Sequence, residues 1–443
     1  MMSENSDPSA PRFANRRAHN LSFAKENGNY NREWFVELRG RVQAGEKLAF
    51  VNADVPTEIF KAMDIPVVMN QWWGAVVAAK QKSGPYLQKL NEQGYRRGLC
   101  GYCSLAYASM LETDPNEAPW GGLPVPSLLV SGNDCGSSHK IFGLWSQRFN
   151  IPLFRLERRL ATAPPPAGWL QNLRGGWEEI FGSDVIDSLA TQYRELILFL
   201  EQHTGKRMDY DRLAEVMRLV NEQEDYYAKT RNLIAATHPA PVNVADQMPA
   251  TMIPQWHRGT PWARDRAALF YREIEQRVAD GEAAAPGERV RLMWLGTGLW
   301  YNLGFYEYFQ EKYGAVFVWS IYTAIAADGY PTDGDDPIRV MAGRMTKIQA
   351  LLNTQPYNLE WYLHEAKRSG IDGVVSMGGG TEDDCREDFG QHALLRQAFD
   401  SAGIPVLRLG VDNADARAWD DEVIRARVGD FIENTILAHR QKD

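Results

Sequence analysis

Ser127-Leu-Leu-Val-Ser-Gly-Asn-Asp-Cys135, followed after a helical segment by Asn150-Ile-Pro-Leu-Phe-Arg-Leu156, decides the fold, because the pattern occurs twice. The second copy is Gly373-Val-Val-Ser-Met-Gly-Gly-Gly-Thr-Glu-Asp-Asp-Cys385, followed by Gly403-Ile-Pro-Val-Leu-Arg-Leu409. Each copy reads as a short apolar strand, a Gly/Asp-rich loop, a cysteine, a helix and a strand opened by Ile-Pro. Continuous apolar runs alternating with helices are the pattern of a parallel sheet covered on both faces. Before the first copy, Leu48 to Val51 and Ile65-Pro66-Val67-Val68-Met69 supply two more strands. Before the second, Arg291 to Leu295 and Ala315 to Ser320 do the same. Helices are expected at Leu303 to Tyr313, Leu359 to Ser369, Gln391 to Ala402 and Glu422 to Arg440. Between the blocks, Leu196, Leu198, Phe199, then Leu213, Val216, Met217 and Val220 recur at three- and four-residue steps, a helical period. Asp209 and Asp211 suit the start of the second of these helices, and a third is expected over Trp262 to Ala279. The fold class is therefore α/β: two parallel-sheet α/β domains with a helical middle segment. The expected organisation is an N-terminal arm at 1–45, a first α/β domain at 46–180, a helical segment at 181–285 and a second α/β domain at 286–443. Pro164, Pro165 and Pro166 mark a linker.

The chain has 443 residues, 44% hydrophobic and 24% charged, which suits a multidomain globular protein. No run of about 18 apolar residues is present, so no membrane span is expected. Met1 to Asn20 is polar and lacks the apolar core of a signal peptide, which points to the cytoplasm. A net charge of −9 argues against a nucleic-acid partner.

Four cysteines are present: Cys100, Cys103, Cys135 and Cys385. In a cytosolic chain of this size a disulfide framework is not expected. Ligands of open α/β sheets bind beyond the carboxyl ends of the strands. Cys135 and Cys385 sit in such loops, just before a helix, where the dipole and free N–H groups favour a thiolate. Cys100 and Cys103 form a Cys-x-x-Cys. A thioredoxin-like redox pair needs a strand before the motif, and Asn91 to Gly98 is not strand-like. A four-cysteine zinc site has two close pairs, whereas Cys135 and Cys385 are far apart in sequence. Iron–sulfur ligation tolerates wide spacing, and three thiolates on facing loops would leave one iron open.

These residues resemble the cluster-binding subunits of the benzoyl-CoA reductase / 2-hydroxyacyl-CoA dehydratase family. The resemblance runs from about residue 45 to the C-terminus. It is carried by Gly94-Tyr95…Cys100, Leu128 to Cys135, Thr204-Gly205-Lys206…Asp211-Arg212-Leu213, Arg258-Gly259-Thr260-Pro261, Ala315 to Val318 with Tyr322-Thr323, and Asp372 to Cys385. It implies flavodoxin-like domains and a [4Fe–4S] cluster held by Cys100, Cys135 and Cys385. It also implies a heterodimer with a homologous cluster-binding subunit, an acyl-CoA or aryl-CoA substrate, and a separate ATP-hydrolysing iron–sulfur activator. The chain has no Gly-x-x-x-x-Gly-Lys-Ser/Thr loop of its own, so ATP belongs to that other polypeptide. The length and the Arg-Gly-Thr-Pro segment look closer to the B-type component of benzoyl-CoA reductase. Ring reduction of an aryl-CoA is thus the first expectation, and dehydration of an (R)-2-hydroxyacyl-CoA the alternative. The loop before Cys385 is longer than the family pattern, and Cys103 is additional to it, either a bystander or a fourth ligand.

His139, four residues after Cys135, and His392, placed similarly after Cys385, are the candidate proton donors. A helix-start residue bonded to backbone is the competing reading of His139. Glu382, Asp383 and Asp384 read as a solvated acidic loop. Gln71-Trp72-Trp73 is the candidate wall of an acyl pocket, with core packing as the competing reading.

Overall fold

The computed structural model describes residues 21–438 apart from 96–98, 113, 133–134, 158, 160, 162, 328–335 and 379–390, and apart from the side chains of Gln391, His392 and Ala418. The expected Cys385 loop and its acidic flank lie outside the described residues.

Two four-stranded sheets form. The first contains β1 (Ala49–Val51), β2 (Val67–Met69), β3 (Leu128–Gly132) and β4 (Leu153–Leu156), in the order β2-β1-β3-β4. The second contains β5 (Val290–Leu295), β6 (Ala315–Ser320), β7 (Gly373–Met377) and β8 (Val406–Leu409), in the order β6-β5-β7-β8. All pairs are parallel, and both sheets have the same strand order. The repeat extends to register: Ser131 pairs with Arg155 in the first sheet and Ser376 with Arg408 in the second. Each of the eight runs expected as strands is a strand. Every residue of β1, β3, β5 and β6 is buried, which is why these segments are apolar without alternation.

The recurring Ile-Pro has a common job. Pro66, Pro152 and Pro405 each stand just before an edge strand and accept a hydrogen bond on their carbonyl from the central neighbour, from Ala49 N at 3.0 Å, Leu129 N at 2.9 Å and Val374 N at 2.9 Å. Proline lacks an N–H and is tolerated where the donor side of a strand faces outward.

The middle segment is helical, over Ser183–Thr204, Tyr210–Ala236 and Pro261–Ala279. Asp209 caps the second of these, its carboxylate accepting from Arg212 N at 2.9 Å. Several helices were not expected, among them two long ones. Val244–Trp256 contains Pro249 and Pro254, which read as breakers. Pro337–Asn353 is buried along most of its length, with Arg344 and Lys347 inside, so its polar residues do not mark a solvent face. Within the expected C-terminal helix, Asp421–Asp430 is α-helical and Phe431–Leu437 continues as a π-helix.

The Arg-Gly-Thr-Pro segment is explained by structure. Arg258 makes a bidentate pair with buried Glu58, Nε to Oε1 at 2.8 Å and Nη2 to Oε2 at 3.2 Å. Gly259 has φ +79°, and a Cβ there would lie 2.6 Å from Val216 Cγ1. Thr260 Oγ1 accepts from Ala263 N at 3.2 Å and caps Pro261–Ala279, whose first residue is the proline. Gly259→Ala is therefore expected to destabilise the chain by about 1–3 kcal/mol through overpacking, with added strain from the left-handed backbone. A denaturant midpoint unchanged from wild type would contradict this.

Candidate metal centre

Cys100 immediately precedes the helix Gly101–Ser109, and Cys135 immediately precedes Gly136–Phe149. Each sulfur thus sits at a helix N-terminus, where free N–H groups stabilise negative charge. Short side chains tie the two ends together. Ser137 Oγ accepts from Cys100 N at 3.2 Å, and Ser138 Oγ donates to Asn52 Oδ1, just past β1, at 2.7 Å. Ser104 Oγ donates to Cys100 O at 2.9 Å, and Asn70 Nδ2 donates to Cys103 O at 3.1 Å. Cys103 lies one turn into the first helix and is buried. Its thiol is in hydrogen-bond contact with both Cys100 and Cys135, and these contacts with burial push it well above the ordinary range. Three of the four cysteines therefore meet beyond the carboxyl ends of β1 and β3. Cys103, which sequence reasoning set apart from the others, lies between them. The Cys-x-x-Cys opens a helix, and the described residues among 91–99 contain no strand.

The second unit closes over this point. Asp412, in the loop after β8, accepts from Gly101 N through Oδ2 at 3.4 Å and from Ala414 N and Asp415 N through Oδ1, both at 2.7 Å. Tyr301 Oη donates to the Asp412 carbonyl at 2.9 Å. A Cβ on Gly101 would stand 3.1 Å from Asp412 Oδ1 and 3.3 Å from Asp415 Cβ, so glycine permits the approach. Burial pushes the Asp412 carboxyl up to about 6, against the pull of its three backbone donors. Tyr102, next to Cys103, meets Tyr322 and Trp300 from the second unit, and Tyr322 Oη accepts from Gly298 N at 3.0 Å. Asp412 was missed from sequence. The available signal was Asp412-Asn413-Ala414-Asp415, a polar loop directly after a strand.

The other expected residues fall at different distances from this centre. Arg155 Nη1 lies 2.9 Å from His139 Nδ1 and donates to the His139 carbonyl at 3.1 Å. A guanidinium only donates, so Nδ1 accepts and the neutral ring carries its proton on Nε2. His392 is the second residue of Gln391–Ser401, and its side chain is not described. Gln71 Oε1 accepts from Ala53 N at 2.9 Å and braces the loop after β1. Trp72 and Trp73 are fully buried, and Trp73 Nε1 donates to Ser109 Oγ at 2.8 Å. Trp72 packs against Trp34, Phe35, Trp120 and Trp256, which makes it core. An adjacent cavity of about 410 Å³ is lined by Val76, Trp120, Ile253, Trp256, Trp300 and Tyr301 among others. Trp72 therefore stands one ring behind an apolar wall.

Among the described residues, no three His, Cys, Asp or Glu side chains form a site for a single metal ion. No helix among them is long and apolar enough to cross a membrane. The sequence profile of the family described as 2-hydroxyglutaryl-CoA dehydratase, D-component, matches residues 52–435. The chain belongs to this family. Members of the dehydratase family and its relatives match along nearly their full length. The (R)-2-hydroxyisocaproyl-CoA dehydratase alpha subunit of Clostridioides difficile is 24% identical over 403 residues, 90% of this chain and 92% of that one. The (R)-phenyllactyl-CoA dehydratase alpha subunit of Clostridium sporogenes is 22% identical over 396 residues, 87% and 89%. The B-type component of benzoyl-CoA reductase from Thauera aromatica is 24% identical over 430 residues, 92% and 91%. For a dehydratase-family chain, the donor set here suits an iron–sulfur cluster. It is all thiol, it sits at helix N-termini, and a cubane spreads its ligands over separate irons where a single ion would gather them.

Proposed function

We propose that this chain is the cluster-binding subunit of a cytoplasmic two-subunit enzyme that passes one low-potential electron to a CoA thioester, with Cys100, Cys135 and Cys385 holding a [4Fe–4S] cluster. The observation that carries this reading is the meeting of Cys100 and Cys135 at two helix N-termini, on the cleft side of the first sheet. When bound, such a cluster supplies electrons at potentials that reach roughly −700 mV. The chain's own residues hold and shield it: Ser137 fixes the Cys100 amide, Asp412 closes the other side, and Tyr102, Tyr322 and Trp300 exclude water. Cys103 is assigned no iron, because a fourth thiolate would close the iron that must stay open. ATP is used by a separate activator, and a homologous subunit completes the enzyme.

The reaction we favour is dehydration of a 2-hydroxyacyl-CoA. The Arg-Gly-Thr-Pro segment that tilts the sequence toward ring reduction is a buried ion pair and a helix cap, and it carries no information about the reaction. Two of the relatives above are named dehydratases. Aryl-CoA reduction is the second reading, supported by the long match to the reductase chain and by a cavity with three tryptophan rings that would accept a flat ring. With partner subunit, reduced activator and ATP present, a 2-hydroxyacyl-CoA should lose water to give an enoyl-CoA. Dearomatised benzoyl-CoA with no dehydration would reverse the order of the two readings. Failure of both would sink the proposal.

A further inference from the structure

The contact between Asp412 and Gly101 has a consequence for the chemistry of the neighbouring sulfur, resting on the reading that Cys100 is a cluster ligand. The Gly101 N–H is the amide immediately after Cys100, at a helix N-terminus where free amides point outward. Amides in that position ordinarily bond sulfur and stabilise added negative charge on it, and such hydrogen bonds are among the levers on cluster potential. Here that amide is directed at a carboxylate from the opposite unit, at 3.4 Å. The carboxylate is itself anchored by the Ala414 and Asp415 amides and is buried, so water screens it little. A Cβ on Gly101 would stand 3.1 Å from Asp412 Oδ1, so a side chain there would crowd the carboxylate.

We propose that Asp412 is a positioning residue that holds the cluster's reduction potential low, by drawing the Gly101 amide away from sulfur and placing a fixed negative charge behind the ligand. Reduction adds an electron to an anionic centre, and a nearby carboxylate disfavours the more negative state. The arrangement also makes the low potential depend on the two units being closed on each other, since the carboxylate and the cysteine come from different sheets.

The test is an anaerobic redox titration of the iron-loaded chain, followed by electron paramagnetic resonance. Asp412→Asn keeps the shape and removes the charge. Asp412→Ser keeps a hydroxyl that can accept from the turn amides and is the second variant. Both are expected to retain iron and to be about tenfold more reduced than wild type at a fixed potential, a rise of about 59 mV for one electron. Asp415→Asn, in the same loop but paired with Arg417, is expected to shift it much less. Full iron with an unmoved or lowered potential in either Asp412 variant overturns the inference, as does an equal shift in Asp415→Asn. Loss of iron from both Asp412 variants also overturns it, because Asp412 would then serve assembly. A wild-type chain that takes up no iron would instead sink the cluster reading beneath it.

Discussion

Cys135→Ala is expected to lose its iron and to show no turnover above background. Cys135 stands at the end of the β3 loop and at the start of Gly136–Phe149, on the cleft side of the sheet. Replacing it removes a thiolate from the most electropositive point of that helix. The Cys103 thiol is near, but it lies one turn inside its own helix and is buried, not at a helix N-terminus. Cys135→Ser should retain part of the iron, since an oxygen ligand can bind, and should shift the potential. Cys100→Ala is expected to match Cys135→Ala, because Ser137 ties the Cys100 amide to the same helix end. Full iron and activity in Cys135→Ala would remove this cysteine from the account.

Arg258→Ala is expected to destabilise the fold by about 3–5 kcal/mol, because it leaves a buried carboxylate without its cation. Glu58 is fully buried at the start of Thr57–Ala62. Burial by itself would raise its carboxyl, but the charge and hydrogen bonds of Arg258, with Arg344 further off, bring it down to about 2. Arg344 in turn pairs with buried Glu224. Glu58–Arg258 thus joins Thr57–Ala62 to the 257–260 turn, and Glu224–Arg344 joins Tyr210–Ala236 to the buried Pro337–Asn353 helix. The pH dependence has a definite sign. A depressed folded value means the Glu58 contribution is fully present above the ordinary carboxylate range, near 4.5, and is lost as pH falls toward 2. Wild type should therefore lose stability over that acid window, and Arg258→Ala should lose less there because part of the effect is already gone. Double replacement of Glu58 and Arg258 by Gln and Met should recover much of the loss. An Arg258→Ala variant as stable as wild type at neutral pH would refute the role given to this pair.

β1, β3, β5 and β6 were legible because burial on both faces leaves an apolar signature that needs no periodicity, and the half-buried β4 and β8 because the strand–loop–cysteine–helix–Ile-Pro unit occurs twice. What the repeat could not reveal is contact between units. Asp412 and Cys100 are over three hundred residues apart, and the polar loop Asp412-Asn413-Ala414-Asp415 after β8 does not say which helix end it meets. The Pro337–Asn353 helix was hidden for a related reason: Arg344, Thr346, Lys347 and Gln349 are buried, so its polar residues do not point to a solvent face. Trp72 and Trp73 were readable as aromatic and apolar, but a ring in a core and a ring in a pocket wall have the same composition. Cys103 was placed one turn from Cys100 by spacing, yet only the crossing of two helices shows that its thiol also meets Cys135.

Anaerobic iron counting with electron paramagnetic resonance on the four single Cys→Ala variants tests the central claim most directly. An iron–sulfur signal is expected in wild type and in Cys103→Ala, and its loss in Cys100→Ala, Cys135→Ala and Cys385→Ala. Full iron in Cys385→Ala together with loss in Cys103→Ala would contradict it.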